Sequence, residues 1–195
     1  MTRVKPLTVD DLPRFRDTFD SMQKLIGFVP NSFFSLGHRP EILDAFRALA
    51  QTVFSGTVDV GFKSLLAIMS SYGSGCRYCQ AHQAGASLMR GMPEEKLEAL
   101  AEFETSPLYT DGERAGLRMA FAAGQQPNAV TDEHFVELHR FYDDGEIVEM
   151  VAVVAMFGFL NRWNDTLATE LEDEPFEKAA AHLHGLAWEP GRHRR

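Results

Sequence analysis

The chain has two cysteines, and they lie three residues apart in a short segment that also holds a histidine, Gly75-Cys76-Arg77-Tyr78-Cys79-Gln80-Ala81-His82. A chain of 195 residues can bury a sizeable core without disulfide bonds, so this spacing indicates a chemical role rather than an architectural one. Residues three apart share one face of a helix, so Cys76, Cys79 and His82 are predicted to form one ridge. The two sulfurs can then close a small disulfide, with the histidine as a proton shuttle.

Cys76 is predicted to fall in the first turn of the helix that carries this ridge, because Gly73, Ser74 and Gly75 interrupt two apolar helical patterns. Free backbone N–H groups and the positive end of the helix dipole stabilise thiolates at such a position, and Arg77 acts in the same direction. On this argument Cys76, which lies nearer the helix start, is the more activated thiol.

The cysteine pair is also compatible with two roles that involve no redox chemistry. A structural zinc site needs four ligands, and the missing ones would have to come from scattered histidines such as His38, His134 and His139. The cysteines could also be inert core residues, since free cysteine is among the most buried residue types. Because the sequence lacks a second C-x-x-C pair, we favour redox chemistry and expect no metal.

The composition is that of a globular protein, with 45% hydrophobic and 24% charged residues. The net charge is −9, and basic residues cluster only at positions 192–195, which argues against nucleic acids and anionic membranes as partners. The sequence shows no signal-peptide pattern, and its longest apolar run, residues 150–160, is short for a membrane span. We therefore expect a cytoplasmic protein. It also lacks a glycine-rich phosphate-binding motif, so no cofactor is expected.

Apolar residues recur at helical spacing through most of the chain, and no segment alternates with the period of a strand. The predicted fold class is all-α, in a single domain over residues 1–195. A long apolar helix is predicted at about 146–168. The basic tail, residues 189–195, is expected to be flexible and solvated.

A weak internal repeat relates the cysteine segment to the long helix. Ser64 and Glu149 each stand twelve residues before one of two matching segments, Cys76-Arg77-Tyr78-Cys79 and Asn161-Arg162-Trp163-Asn164. Half-repeats at about 40–104 and 112–170 would pack about a pseudo-twofold axis. The second copy would then face the cysteines, and its Asn161, Arg162 and Asn164 would be structural or pocket residues. Tyr78, in the first copy, is a further candidate for the pocket. Two amphipathic helices that end in polar, aromatic segments would also give such a match.

The segment from Gly75 to His82 resembles the alkylhydroperoxidase D-like proteins of the carboxymuconolactone decarboxylase superfamily, and the resemblance extends to residues 25–33 and 144–165. It implies an all-helical fold that forms symmetric homo-oligomers, and a dithiol that reduces hydroperoxides. By this analogy Cys79 attacks the peroxide and becomes a sulfenic acid, and Cys76 resolves it to a disulfide that an unidentified dithiol donor reduces. The analogy and the helix-dipole argument name different attacking cysteines, so the roles stay open.

The chain departs from the peroxidase members of this family at two positions. They place a glutamate twelve residues before the first cysteine and a histidine four residues after the second, where this chain has Ser64 and Gln83. The proton relay is therefore predicted to be altered. His82 and Glu149 are the candidate replacements, with Gln83, Ser64 and Arg77 as supporting groups. Glu149 could equally be a simple charge near a helix N-terminus.

The predicted function is a thiol-dependent peroxidase, or a related disulfide oxidoreductase, acting on a small hydroperoxide. One alternative is a non-catalytic helical module that forms oligomers. Another is a cysteine-independent lyase or decarboxylase that acts through Arg77, His82 and Arg162.

Overall fold

The computed structural model describes residues 2–194; Met1 and Arg195, the two ends of the predicted domain, lie outside the described residues. Within residues 2–194 the chain forms helices and connecting loops and has no β-strand, so the all-α prediction is confirmed. The α-helices of this part are α1 (Arg16–Ile26), α2 (Asn31–Leu36), α3 (Pro40–Val53), α4 (Val60–Ser74), α5 (Arg77–Met89), α6 (Glu94–Glu98), α7 (Asp111–Gly124), α8 (Asp132–Leu138), α9 (Asp144–Leu167) and α10 (Asp173–His182). Short 3-10 helices lie at Pro13–Phe15, Ala99–Glu102, His184–Leu186 and Gly191–His193.

Helix α4 is at the centre of the fold. It packs against α5, α7 and α9, and all its residues from Gly61 to Ser71 are buried. A helix that is buried on every side must be surrounded by other elements. The segment directly before the cysteines is therefore held from several directions.

Helices α4 and α7 approach closely because glycines stand where their backbones meet. A Cβ atom at Gly124 would lie 2.1 Å from the carbonyl oxygen of Ser70, and one at Gly73 would lie 2.4 Å from that of Phe121. No side chain fits at these distances, so both positions require glycine. This contact fixes the C-terminal end of α4, from which the cysteine segment starts.

Helix α9 lies close to the predicted range of 146–168. Its first turn is closed by a capping box, in which the Glu146 amide donates to Asp143 Oδ1 at 2.9 Å and the Asp143 amide donates to Glu146 Oε2 at 3.0 Å. Between residues 2 and 194 neither α9 nor any other helix has the length and hydropathy that crossing a bilayer requires.

The basic tail differs from its expected solvated state. Gly191–His193 forms a 3-10 helix, and His193 is only 2% exposed. The Leu171 amide donates to the His193 carbonyl oxygen at 2.8 Å, and the Trp188 indole donates to the Arg77 carbonyl oxygen at 3.1 Å. Glu189, Gly191 and Arg192 are exposed, so the expected solvation fails at His193, whose ring is anchored in the interior. The flexibility of the tail stays a prediction.

The internal repeat stays a prediction. Helices α4 and α9 do pack against each other. However, α4 ends at Gly75, whereas α9 continues through the matching position, Leu160. The two segments are therefore alike in register and different in backbone path.

A buried ion pair joins α4 to α9. Lys63 is fully buried, and its ammonium group lies 2.8 Å from Glu149 Oε2. The same group donates to the carbonyl oxygen of Val53 at 3.0 Å and to that of Ser55. The lysine thus has a counter-ion and acceptors, as a buried charge requires.

Glu149 also binds the loop before α4. Its carboxylate accepts hydrogen bonds from the Thr57 amide at 3.0 Å and the Val58 amide at 3.1 Å. The hydrogen bond from Lys63 and those from the two amides hold the pKa of Glu149 at about 2. Glu149 is therefore committed to this ion pair.

We expect Glu149→Gln to lower the free energy of unfolding at pH 7 by about 3 kcal/mol, because it leaves the Lys63 charge buried without a counter-ion. Adding Lys63→Met in the same chain removes the orphaned charge and should restore much of the loss. Urea unfolding of the wild type, both single variants and the double variant tests this. A double variant no more stable than Glu149→Gln alone would contradict it.

The same pair predicts a pH dependence. The pKa of Glu149 in the folded protein, about 2, is below the ordinary value of 4.5. The contribution of the Glu149 carboxylate to the free energy of unfolding is therefore fully present above pH 4.5 and is lost as the pH falls toward 2. Across this range the wild type should lose more stability than the double variant, which has no such pair. Unfolding midpoints measured at a series of pH values check the difference.

Candidate active site

The cysteine segment begins at a sharp turn. Gly75 has a φ of +80°, a left-handed conformation that side chains disfavour. The amides of Gly75 and Cys76 donate to the carbonyl oxygens of Tyr72 at 3.1 Å and Ser71 at 2.9 Å and so close α4. Cys76 is therefore the residue immediately before α5, not within its first turn as the sequence predicts, and Cys79 lies in that first turn.

The two thiols are free, but they have different surroundings. Cys79 is 2% exposed and borders a cavity of about 220 Å³. Cys76 is fully buried and does not line this cavity. The neighbouring Cys79 thiol and burial together raise the pKa of Cys76 well above its ordinary value. A small molecule in the cavity would thus meet Cys79 first, contrary to the helix-dipole argument for Cys76.

This space, called here the Cys79 cavity, is lined mainly by apolar and aromatic side chains from α2, α3, α5, α9 and nearby loops. The apolar ones include Phe33, Phe46, Phe54, Met156, Phe157 and Leu160. The polar lining residues include Tyr78, His82, Gln83, Arg90 and Asn164. An apolar pocket with a few polar groups is typical of a site for a small organic molecule.

His82 lies on the wall of the Cys79 cavity, where it is bound to a carboxylate. Its Nε2 is 2.7 Å from Glu172 Oε2, and the Tyr78 hydroxyl donates to Glu172 Oε1 at 3.1 Å. The Tyr78 and His82 rings stack at 4.3 Å. Burial raises the pKa of Glu172, but the interactions with His82 and the Asn31 amide outweigh it and lower the pKa. Glu172 lies just before α10, in an acidic stretch that the sequence alone does not connect with the cysteines.

Ser64 and Gln83, which occupy the family's relay positions, both bind Arg90. The Arg90 Nη1 atom donates to Ser64 Oγ and, at 3.2 Å, to Gln83 Oε1. An arginine that the sequence does not single out thus joins the two positions at which this chain departs from the peroxidase pattern. Glu149, the other candidate for the relay, does not line the Cys79 cavity.

A second cluster lies beside Cys76 and comes from the end of α9 and the tail. His193 Nδ1 donates to the Thr169 carbonyl oxygen at 2.7 Å, and His193 Nε2 lies 2.9 Å from Asp165 Oδ1. Burial lowers the pKa of His193, but the hydrogen bonds with Asp165 and Thr169 and the proximity of Cys76 outweigh it and raise the pKa to about 9. The resulting imidazolium favours a negative charge on the Cys76 sulfur.

Cys76, Asp165 and His193 also offer three donor atoms within 4.8 Å of one another, so they could hold a metal ion. A structural zinc site needs a fourth ligand, and the group found in the described chain has three. The 2.9 Å contact of His193 with Asp165 is the length of a charge-assisted hydrogen bond. His193 and Asp165 therefore form an ion pair within this cluster.

The histidines considered from the sequence as zinc ligands have different partners. His38 Nε2 lies 2.9 Å from the Lys5 carbonyl oxygen, and His134 Nδ1 receives the Thr131 amide at 3.1 Å. His139 lies beside Asp144 at 3.6 Å. None of the three histidines belongs to the cluster of Cys76, Asp165 and His193, the group of possible metal ligands within residues 2–194.

The residues predicted from the second segment of the internal match, Asn161, Arg162 and Asn164, lie in different surroundings in the structure. Asn164 Nδ2 lies 3.5 Å from Cys79 Sγ, and Asn161 Oδ1 accepts a hydrogen bond from the Ser71 hydroxyl at 2.9 Å. Arg162 is exposed and donates to the Gly158 carbonyl oxygen at 3.2 Å, within its own helix. Arg77 is half-buried and does not line the Cys79 cavity. The structure thus brings Asn164 and Tyr78 to the cavity, but not the two arginines.

Comparisons with known proteins agree with this architecture. Residues 40–122 match the model of the Carboxymuconolactone decarboxylase family. The crystal structure of the debrominase Bmp8, as a cysteine-to-alanine variant in complex with 2,3,4-tribromopyrrole, has a TM-score of 0.85 and 33% identity over 95% of this chain and 98% of that one. The chain belongs to the carboxymuconolactone decarboxylase family.

Two further proteins extend the comparison. The alkylhydroperoxidase AhpD core of a peroxidase-related protein from Ralstonia eutropha JMP134 has a TM-score of 0.79 at 23% identity, over 90% of this chain and 94% of that one, and supports the shared fold. The uncharacterized protein YnjA of Escherichia coli K12 is 28% identical over 92 residues, which is 47% of this chain. The match spans 50% of the length of that curated relative.

We expect His193→Gln to slow the reduction of a Cys76–Cys79 disulfide by dithiothreitol about tenfold at pH 7, because the positive charge of the nearby imidazolium stabilises the departing Cys76 thiolate. The pKa of His193 is raised to about 9, so the imidazolium is present below that pH and is lost as the pH rises through it. The difference between wild type and variant should therefore shrink above about pH 9. Stopped-flow tryptophan fluorescence follows the reduction.

The matched control is His182→Gln. His182 pairs with Glu98 at 3.0 Å and lies in neither cysteine cluster. This variant should be reduced at the wild-type rate. Equal rates for the wild type and His193→Gln across the whole pH range would leave His193 with a purely structural role.

Proposed function

We propose that this protein is a dithiol reductase that transfers two electrons from its cysteine pair to a small organic substrate in the Cys79 cavity. The observation that carries the proposal is the unequal placement of the two sulfurs. Cys79 borders the cavity, whereas Cys76 is enclosed beside the His193–Asp165 pair. One sulfur can meet a substrate while the other waits to resolve the product.

The first candidate substrate class is small organic hydroperoxides. The Cys79 thiolate attacks the terminal peroxide oxygen, the O–O bond breaks, and the substrate leaves as an alcohol once it takes a proton. Cys79 is then a sulfenic acid. The Cys76 thiol attacks this sulfur, its proton leaves with the hydroxyl as water, and a disulfide forms. A dithiol donor restores both thiols.

Residues around Cys79 fit the demands of the first step. The Asn164 amide at 3.5 Å and the first turn of α5 both favour negative charge on the sulfur. His82, bound to Glu172 on the cavity wall, is the proton source for the departing oxygen. This assignment replaces the glutamate and histidine relay that Ser64 and Gln83 do not provide.

A second candidate reaction is the reductive removal of a halogen from a small aromatic ring. The likeness to a debrominase over nearly the whole chain and the aromatic lining of the Cys79 cavity support it. The Cys79 sulfur would take the halogen while the ring carbon takes a proton. Cys76 would then displace halide and close the same disulfide, so both reactions consume two electrons and end in one protein product.

The lyase and the non-catalytic module have less support. A lyase that uses Arg77, His82 and Arg162 would need these side chains together, but the two arginines lie outside the Cys79 cavity. A non-catalytic module would not require a cavity that ends on one of the two thiols. Catalysis that survives replacement of both cysteines by serine would revive the lyase.

Single-turnover oxidation tests the proposal. Reduced wild-type protein treated with cumene hydroperoxide or, separately, with a bromopyrrole should lose both thiols and gain a Cys76–Cys79 bond with at least one of the two compounds. Cys79→Ser should abolish turnover, because no other thiol borders the cavity. Peptide mass spectrometry reports the thiols and the bond.

The Cys76→Ser variant is the counterpart of Cys79→Ser, because it removes the sulfur that resolves the product and keeps the one that attacks. With the hydroperoxide it should stop after one attack and leave a sulfenic acid on Cys79 that dimedone labels. Free thiols after exposure to both compounds would refute the proposed function. Label on Cys76 in the Cys79→Ser protein, at the wild-type rate, would reverse the roles of the two cysteines.

A further inference from the structure

We infer that the Cys79 cavity selects small aromatic acids, and that Arg90 binds their anionic group. The inference names the substrate class of the proposed reductase and rests on it for the chemistry. Binding can be tested without any reaction.

Arg90 is the residue from which this follows, because its charge has no counter-ion in the described chain. It is half-buried at the end of α5 and lines the Cys79 cavity. Lys63 and Arg118 each pair with glutamate, but no ion pair joins Arg90 to an acidic residue of positions 2–194. Burial lowers the pKa of Arg90, although a guanidinium stays charged in proteins. A partly desolvated cation without a partner favours binding of an anion.

The hydrogen bonds of Arg90 leave one edge of its guanidinium free. The Nη1 atom donates to Ser64 and Gln83, while Nε and Nη2 make no hydrogen bond within residues 2–194. The Phe54 ring covers one face, with its centroid 4.1 Å from the Arg90 Cζ atom. These contacts hold the plane of the group. The Nε–Nη2 edge is a fork of parallel donors that matches the two oxygens of a carboxylate.

The position of the Arg90 guanidinium and the volume of the Cys79 cavity limit the size of the ligand. Gln83, which binds Arg90, lies four residues after Cys79 in α5, which is ~6 Å along the helix axis. The guanidinium and the attacking sulfur both border the same cavity. An apolar cavity of ~150 Å³ holds benzene, so a cavity of about 220 Å³ fits one substituted ring.

The remaining charged groups at the Cys79 cavity favour the same orientation. His82 is already paired with Glu172 at 2.7 Å, so it does not compete with Arg90 for an anion. A thiolate at Cys79 would repel the anionic end of a ligand and leave that end to Arg90. The ring would lie among Phe54, Phe157 and the other apolar side chains. Its reactive substituent would then point to the sulfur.

Benzoate and benzamide are suitable probes, since they have nearly the same shape and differ in charge. Isothermal titration of the reduced full-length protein should show that benzoate binds more tightly than benzamide. Arg90→Met should weaken benzoate binding by about tenfold or more, because a charged, bidentate pair is lost. Benzamide binding should change little.

Two variants serve as controls. Arg90→Lys keeps the charge but not the fork, so it should bind benzoate with an affinity between those of the wild type and Arg90→Met. Arg162→Met removes a charge from an exposed position outside the Cys79 cavity and should bind benzoate as the wild type does. If Arg90→Met does not fold, by circular dichroism, the comparison of Arg90→Lys with the wild type decides the matter. Equal affinity for benzoate and benzamide in the wild type would overturn the inference.

The result separates this inference from the proposed function. Benzoate binding that depends on Arg90, in a protein whose thiols resist every oxidant tested, supports the anion site and refutes the reductase. Thiol oxidation by neutral substrates, without benzoate binding, supports the reductase and refutes the anion site. With carboxylated cumene hydroperoxide, Arg90→Met should raise KM about tenfold and leave kcat nearly unchanged, as loss of a uniform binding contact does.

Discussion

The left-handed turn at Gly75 determines where both sulfurs lie. Helix α4 cannot shift along its axis, because its end is in backbone contact with α7 at Gly73 and Gly124. The chain must therefore leave α4 at a fixed point, and a residue with positive φ lets it change direction within one position. The new direction sends α5 along the Cys79 cavity. Cys76 lies at the corner, against the protein interior, and Cys79 lies one turn further, facing the cavity.

This corner gives two identical side chains different chemical properties. A sulfur that attacks a substrate needs space and a partner that favours its charge, which the cavity and the Asn164 amide provide. A sulfur that resolves the product needs to lose its proton in a place that water does not reach. The imidazolium of His193, held by Asp165, offsets the cost of that charge in the interior. Enclosure also protects the Cys76 thiol from direct oxidation, since susceptibility follows exposure.

The sequence predicts the parts of this arrangement that depend on local pattern. Helical periodicity gives the fold class and the position of α9. The internal match draws attention to Asn164, which lies beside Cys79 in the structure. The remaining partners come from packing between segments that are distant in the sequence. His82 binds Glu172, ninety residues away, and His193 binds Asp165, from which it is separated in the sequence by α10. No periodic signal encodes such pairs. The end of the chain is the plainest example, because the arginines of the tail indicate solvent, while Trp188 binds the start of α5 and His193 binds Asp165 and Thr169.

Three of the buried or half-buried charges share a feature that Arg90 lacks. Lys63, His82 and His193 each have a carboxylate partner, and all three partners come from α9 or the segment that follows it. These pairs offset the cost of removing charge from water and connect α9 and the segments after it to one another and to α4 and α5. Arg90 has only two neutral acceptors and an aromatic ring. A methionine there would avoid the desolvation cost altogether, so the arginine fits a site whose counter-ion arrives with the ligand.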